Sequence, residues 1–97
     1  MTVQVIMEVT LKEGHVDDFR DFMIKILPDS RAYEGSVSID FVRNQDSPNQ
    51  VLVMEKWNSR RDYEHYLKWR AESGTLNEIA GIFEGEPKLR FFDPMGL

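Results

Sequence analysis

An α+β fold is what this sequence predicts: a four-stranded antiparallel sheet with its helices on one face, in the order β-α-β-β-α-β. Three observations predict it. Two-residue alternation runs through Thr2–Leu11, Ser36–Arg43 and Val51–Trp57, and a last strand, Lys88–Asp93, follows the break Gly85-Glu86-Pro87. Between these segments apolar residues recur at helical spacing, first from Val16 to Leu27 and again from Tyr63 to Leu67. The loop Asn44–Asn49 is dense in turn formers and joins two strands of similar length, so those strands form a hairpin.

The first strand places Val3, Val5, Met7, Val9 and Leu11 on one side and Gln4, Ile6, Glu8 and Thr10 on the other. Its wholly apolar side is expected to meet the helices. After the turn Lys12-Glu13-Gly14, the first helix carries Asp17 and Asp18 in its opening turn, where the helix dipole favours carboxylates. Pro28 is expected to end or kink this helix near Leu27, leaving Asp29–Gly35 as a connector in which Gly35 takes a positive φ. The second strand alternates Val37, Ile39 and Phe41 against Ser36, Ser38, Asp40 and Val42. Everything else is organised around Gln50–Gly74, a strand, a capped turn and an amphipathic helix. Val51, Val53, Glu55 and Trp57 share the strand face towards the helices, with Leu52, Met54 and Lys56 opposite. Ser59 is the N-cap, Asp62 the acidic member of a capping box and Gly74 the C-cap. With ~3.6 residues per turn, Tyr63, Tyr66, Leu67 and Arg70 form one stripe, with Ala71 beside it, facing the sheet. A short helical piece over Leu76–Phe83 is expected to turn Leu76, Ile79, Ala80 and Phe83 inward.

Composition narrows the function. A chain of 97 residues makes one domain, 1–97. Its formal charge of −5 and lack of a Lys/Arg stripe argue against nucleic acid or an anionic membrane as partner. The absence of cysteine excludes disulfides, thiolate metal sites and thiol nucleophiles. No apolar run approaches the ~18 residues of a membrane span, and the N-terminus lacks the order of a signal peptide, so a cytoplasmic location is expected. The sheet face away from the helices carries Ile6, Val42, Leu52 and Met54 among Gln4, Glu8, Ser38 and Lys56. An aliphatic centre with a polar rim predicts a homodimer whose sheets pack face to face.

Arg70 is the residue that most directly raises the question of a site. An inward guanidinium needs a partner, and Glu55 on the neighbouring strand is the expected one. Three readings stand together: a structural ion pair closing one end of the core, an arginine that snorkels to solvent, or a pair flanking a pocket and holding an anionic oxygen of a small aromatic ligand. Trp57, Tyr63, Tyr66 and Trp69 cluster nearby, and their N–H and O–H groups line a cavity as readily as they fill one. His65 and His15 fall at surface positions, His65 serving only as a reserve base. Neither belongs to a metal-binding pattern, and no phosphate loop, dinucleotide fingerprint or nucleophile elbow occurs.

The run EKWNSRRDYEHYLKWR, with Tyr33-Glu34-Gly35-Ser36 before it and the closing EGEPKLRFFD, resembles the antibiotic biosynthesis monooxygenase domain over nearly the whole chain. The resemblance implies ferredoxin-like subunits paired as a dimeric α/β barrel, with a pocket between helices and sheet. It also implies oxidation of a phenolic or quinol-like small molecule by O₂ with no cofactor and no metal. Arg70, Tyr66 and Glu55 would then be catalytic, and Trp57, Tyr63, Trp69, Phe41 and Met7 would contact the substrate. Tyr66 stands where many members have histidine. The asparagine, tryptophan and histidine of the haem-degrading branch fall on Met7, Tyr66 and Leu76, so haem degradation is not implied. The competing expectation is a non-catalytic small-molecule-binding or stress-response dimer on the same scaffold.

Overall fold

Alternation and capping translate directly into the elements of the computed structural model, which describes residues 2–97. Met1, the first residue of the domain expected over 1–97, lies outside the described residues. The order is β1 (Val3–Thr10), α1 (Val16–Ala32), β2 (Ser36–Arg43), β3 (Gln50–Trp57), α2 (Arg60–Ser73), two 3₁₀ turns and β4 (Lys88–Phe92). The sheet is antiparallel with strand order β2-β3-β1-β4, the ferredoxin-like arrangement. β1 pairs with β3 from Val3↔Trp57 to Thr10↔Gln50, which keeps Val5, Val9, Val51, Val53 and Glu55 on the helix side. The hairpin between β2 and β3 is fixed by Asn44, whose Oδ1 accepts from the backbone N–H groups of Asp46 and Ser47.

Three expectations about local structure are corrected. Helix α1 does not end at Pro28 but runs to Ala32. Proline removes the N–H that would reach the Ile24 carbonyl, and both residues lie on the solvent side of the helix, where the lost bond does not leave a polar group sealed in the core. Val37 does not face inward. Ser36 pairs with Trp57 and Ser38 with Lys56, so Val37 is the extra residue of a bulge and is exposed. The segment after α2 is two 3₁₀ turns, Thr75–Glu78 and Ala80–Ile82, in which Ile79 is buried while Leu76 and Ala80 are exposed. Backbone bonds from Lys12 N to Ile82 O and from Glu84 N to Thr10 O, each 2.8 Å, dock this segment against the end of β1.

Helix α2 begins where Ser59 Oγ accepts from Asp62 N at 3.1 Å and ends at Gly74 in the left-handed region. Its start is pressed against Gly35, which has φ +91° and whose added Cβ would lie 2.5 Å from Asp62 Cβ. Both the backbone conformation and the close approach require glycine. Gly35→Ala is therefore expected to lower stability by about 3 kcal/mol, from left-handed strain and overpacking combined. Urea unfolding checks this as a lower midpoint at unchanged slope.

The core has two parts. One gathers Val9, Leu11, Phe19, Phe22, Ile26, Ile39, Val51, Val53 and Ile79 under α1, the other Val3, Val5, Trp57, Tyr63 and Tyr66 under α2. A hollow remains where they meet.

Candidate functional site

The hollow is a cavity of about 160 Å³ between α1, α2 and the sheet. Val9, Phe19, Ile26, Ile39, Val53 and Ile79 give it apolar walls. Among the described residues the buried polar ones are Ser30, Glu55 and Arg70, and all three line this one cavity. Their convergence on a single hollow makes it the candidate site.

Arg70 is 3% exposed and does not pair with Glu55, contrary to expectation. It reaches across to α1 instead of down to β3. Its Nη2 donates to Ser30 Oγ at 2.8 Å and to the Ile26 carbonyl at 3.1 Å, and its Nε donates to Tyr66 Oη at 3.1 Å. Ser30 Oγ and Tyr66 Oη are 2.7 Å apart, and Ser30 Oγ lies 3.3 Å from the Ile26 carbonyl. One placement of hydrogens satisfies them all: Tyr66 donates to Ser30, and Ser30 donates to Ile26. The guanidinium also lies 4.4 Å from the centre of the Trp69 ring, a cation–π contact. All these partners are neutral. The cation is buried without a counter-anion among the described residues, and its Nη1 makes no hydrogen bond there.

Glu55, 5% exposed, accepts at Oε1 from Trp57 Nε1 at 3.2 Å. Burial raises its pKa to about 7 against the opposing pull of that one hydrogen bond. A carboxyl at that value exchanges its proton near neutrality. Tyr63 is fully buried, and its hydroxyl has no hydrogen-bond partner. Burial first, then the neighbouring Glu55 and Tyr66, push its pKa above the ordinary phenol range, so it keeps its proton. An unpartnered buried donor costs roughly 1–3 kcal/mol. Tyr63 is among the residues that line the cavity, and its hydroxyl is fully enclosed by protein.

Of the residues expected at the site, Arg70, Tyr66, Glu55, Tyr63, Phe41 and Met7 all line the cavity. Trp57 and Trp69 do not. Trp57 sits behind the wall, holding Glu55, and packs on Tyr63 and Tyr66 with ring centres 5.6 and 5.0 Å apart. Trp69 is 38% exposed and stacks on Tyr33 at 5.2 Å. His65 is exposed, and His15 Nδ1 pairs with Asp18 at 2.9 Å near the surface, so neither faces the cavity. Ser30 is the site residue that sequence reasoning missed. Its signal was the i, i+4 spacing from Ile26, visible only if α1 continues through Pro28.

Comparison with known proteins agrees with the fold. Solved structures that superpose on the chain include a conserved protein of Methanosarcina mazei Go1, with TM-score 0.84 and 11% identity over 95% of this chain and 91% of that one. An antibiotic biosynthesis monooxygenase superposes with TM-score 0.83 and 14% identity over 96% and 98% of the two chains. Rv0793 of Mycobacterium tuberculosis gives TM-score 0.76 and 18% identity over 100% and 98%. At such identities the likeness is one of fold. No curated protein sequence matches the chain. The family model for antibiotic biosynthesis monooxygenase matches residues 2–71, and the chain belongs to that family.

Proposed function

We propose that the protein is a monooxygenase that oxidises a single-ring phenol or quinol with O₂, unaided by a cofactor. The observation that carries this reading is one small cavity whose lining residues include a cation without a counter-anion, a carboxyl titrating near 7 and a tyrosine whose hydroxyl has no partner. A cavity of about 160 Å³ takes one aromatic ring, since an engineered apolar cavity of ~150 Å³ holds benzene.

Glu55 takes the substrate's hydroxyl proton. A free phenol has a pKa of about 10, some 3 units above that carboxyl, so transfer is uphill by about 4 kcal/mol. Arg70 and the Tyr63 hydroxyl close the gap by holding the phenolate oxygen, because charge-assisted hydrogen bonds contribute about 1.5–3 kcal/mol each. Tyr66 and Ser30 position Arg70, while Met7 and Phe41 pack on the ring. The electron-rich anion then reacts with O₂. A C–O bond forms at a hydrogen-bearing ring carbon, para to the phenolate in a phenol and ortho to it in a quinol, the O–O bond breaks, and the ring leaves as a quinone while the second oxygen leaves as water. One phenolic proton and the proton of that carbon end in the water, and four electrons pass from ring to O₂, so no external reductant enters.

Tyr63→Phe separates this role from a structural one. Removing an unpartnered hydroxyl is expected to raise stability by about 1 kcal/mol or more, while oxygen uptake with monocyclic phenols and hydroquinones falls by about 10²-fold. Calorimetric unfolding and an oxygen electrode read the two effects. A variant that is less stable and equally active would remove Tyr63 from the site. Binding of the same phenols without any oxygen uptake by the wild type would favour the non-catalytic binding dimer instead. In either case the sheet face bearing Ile6, Leu52 and Met54 is proposed to pair two copies of the chain, and sedimentation at micromolar concentration tests this.

A further inference from the structure

Beside the inner cavity lies a second hollow of about 420 Å³, open to the surface between α1 and the end of β2. Phe19, Met23, Leu27 and Phe41 line both, so a single layer of side chains separates them. Phe19 and Phe41 meet edge to face, 6.2 Å between ring centres, and form the fixed part of that layer. Met23 and Leu27 are half-buried and not locked by polar contacts, and an unbranched thioether chain yields readily. The outer hollow is floored by apolar side chains and walled by Ile24, which is 58% exposed with nothing polar to justify it. Its charged members, Asp17, Arg20 and Arg43, are exposed residues, as expected of a rim.

We infer that the outer hollow is the second subsite of the same binding site and takes an apolar chain carried by the aromatic ring. Two facts point to this occupant. The inner cavity alone falls below the roughly 300–1,000 Å³ of ordinary ligand sites, and inner and outer hollows together fall within it. The shared wall is made of apolar side chains, so whatever crosses it next to the ring must be apolar as well. The substrate class is therefore an alkyl-substituted monocyclic phenol, its chain meta or ortho so that the para carbon stays free. This inference rests on the phenol reading of the inner cavity.

The test is calorimetric titration, without oxygen, of the wild type and Ile24→Asp with phenol and with 3-ethyl-, 3-butyl- and 3-hexylphenol. Ile24 lines the outer hollow and not the inner cavity, and it is exposed on α1, so the substitution leaves the fold and the ring site intact. In the wild type the dissociation constant is expected to drop about threefold to fourfold per methylene, the increment for a buried methylene. In Ile24→Asp phenol itself should bind as in the wild type, and the gain with chain length should disappear. Phenol binding with no gain along the series in the wild type overturns the second subsite and leaves the inner cavity standing. So does a gain equally large in Ile24→Asp, which would put the chain elsewhere. Failure of phenol to bind the wild type overturns both readings at once.

Discussion

Glu55→Gln is expected to slow oxygen consumption by about 10²–10⁴-fold, the range for loss of a positioned general base. The wild-type rate should climb with pH through about 7, where the buried carboxyl gives up its proton, and the residual rate of the variant should lack that step. Stability should respond in the opposite sense. The fold raises this carboxyl from 4.5 to about 7, so its contribution is fully present below 4.5 and is lost as pH rises through 7. Glutamine keeps the shape and never ionises. Relative to wild type, Glu55→Gln should therefore gain about 3 kcal/mol between pH 4.5 and pH 8, because the wild type loses about 1.4 kcal/mol for each pH unit between the two values. Denaturant titrations of both proteins at the two pH values measure the difference directly. Equal pH dependence in the two proteins would show that Glu55 is already relieved of its burial by some other group.

Arg70→Met is expected to separate binding from stability as sharply. The guanidinium gives three hydrogen bonds, but to neutral acceptors, and it carries the desolvation cost of an unpaired charge. Removing it leaves the chain from Tyr66 to Ser30 to the Ile26 carbonyl intact. Lost bonds and lost desolvation cost nearly cancel, so stability should change by less than about 1.5 kcal/mol. Affinity for a phenol that binds as its anion should fall by about 10²-fold, the worth of one charge-assisted contact in a dry site. Calorimetric titration with phenol at pH 8 reads the second effect and thermal unfolding the first. A loss of several kcal/mol of stability with phenol affinity unchanged would make Arg70 a structural brace.

The fold was legible because its signals are local. Alternation in β1 and β3, the Ser59 cap and the Asn44–Asn49 turn each specify their own few residues, and those pieces allow few topologies. The departures share one cause, since each depends on a neighbour that the local sequence does not name. Pro28 is tolerated because its face of α1 is solvated. Val37 is extruded because β2 must stay in register with β3 on either side of it. The candidate site was legible as a set of inward-facing residues, with Trp57 and Trp69 off the cavity lining, but not as a set of partners. Arg70, Glu55 and the tyrosines do converge, and periodicity is enough to place them on inward faces. Which atom meets which depends on the spacing between α1 and α2, fixed by packing far along the chain. Arg70 therefore turned to Ser30, a residue that entered the site only because the helix outran its proline, and Glu55 was left to Trp57.

The proposed chemistry requires one physical fact above all: the cavity holds a single-ring phenol as its anion. The most direct measurement is the visible absorption of 4-nitrophenol mixed with the protein at a pH below the dye's own pKa, where the free dye is neutral and colourless. Growth of the yellow phenolate band on adding wild-type protein, saturating at one dye per chain and absent with Arg70→Met, is the predicted result. A dye that binds and stays in its neutral form, or that never binds, would contradict it.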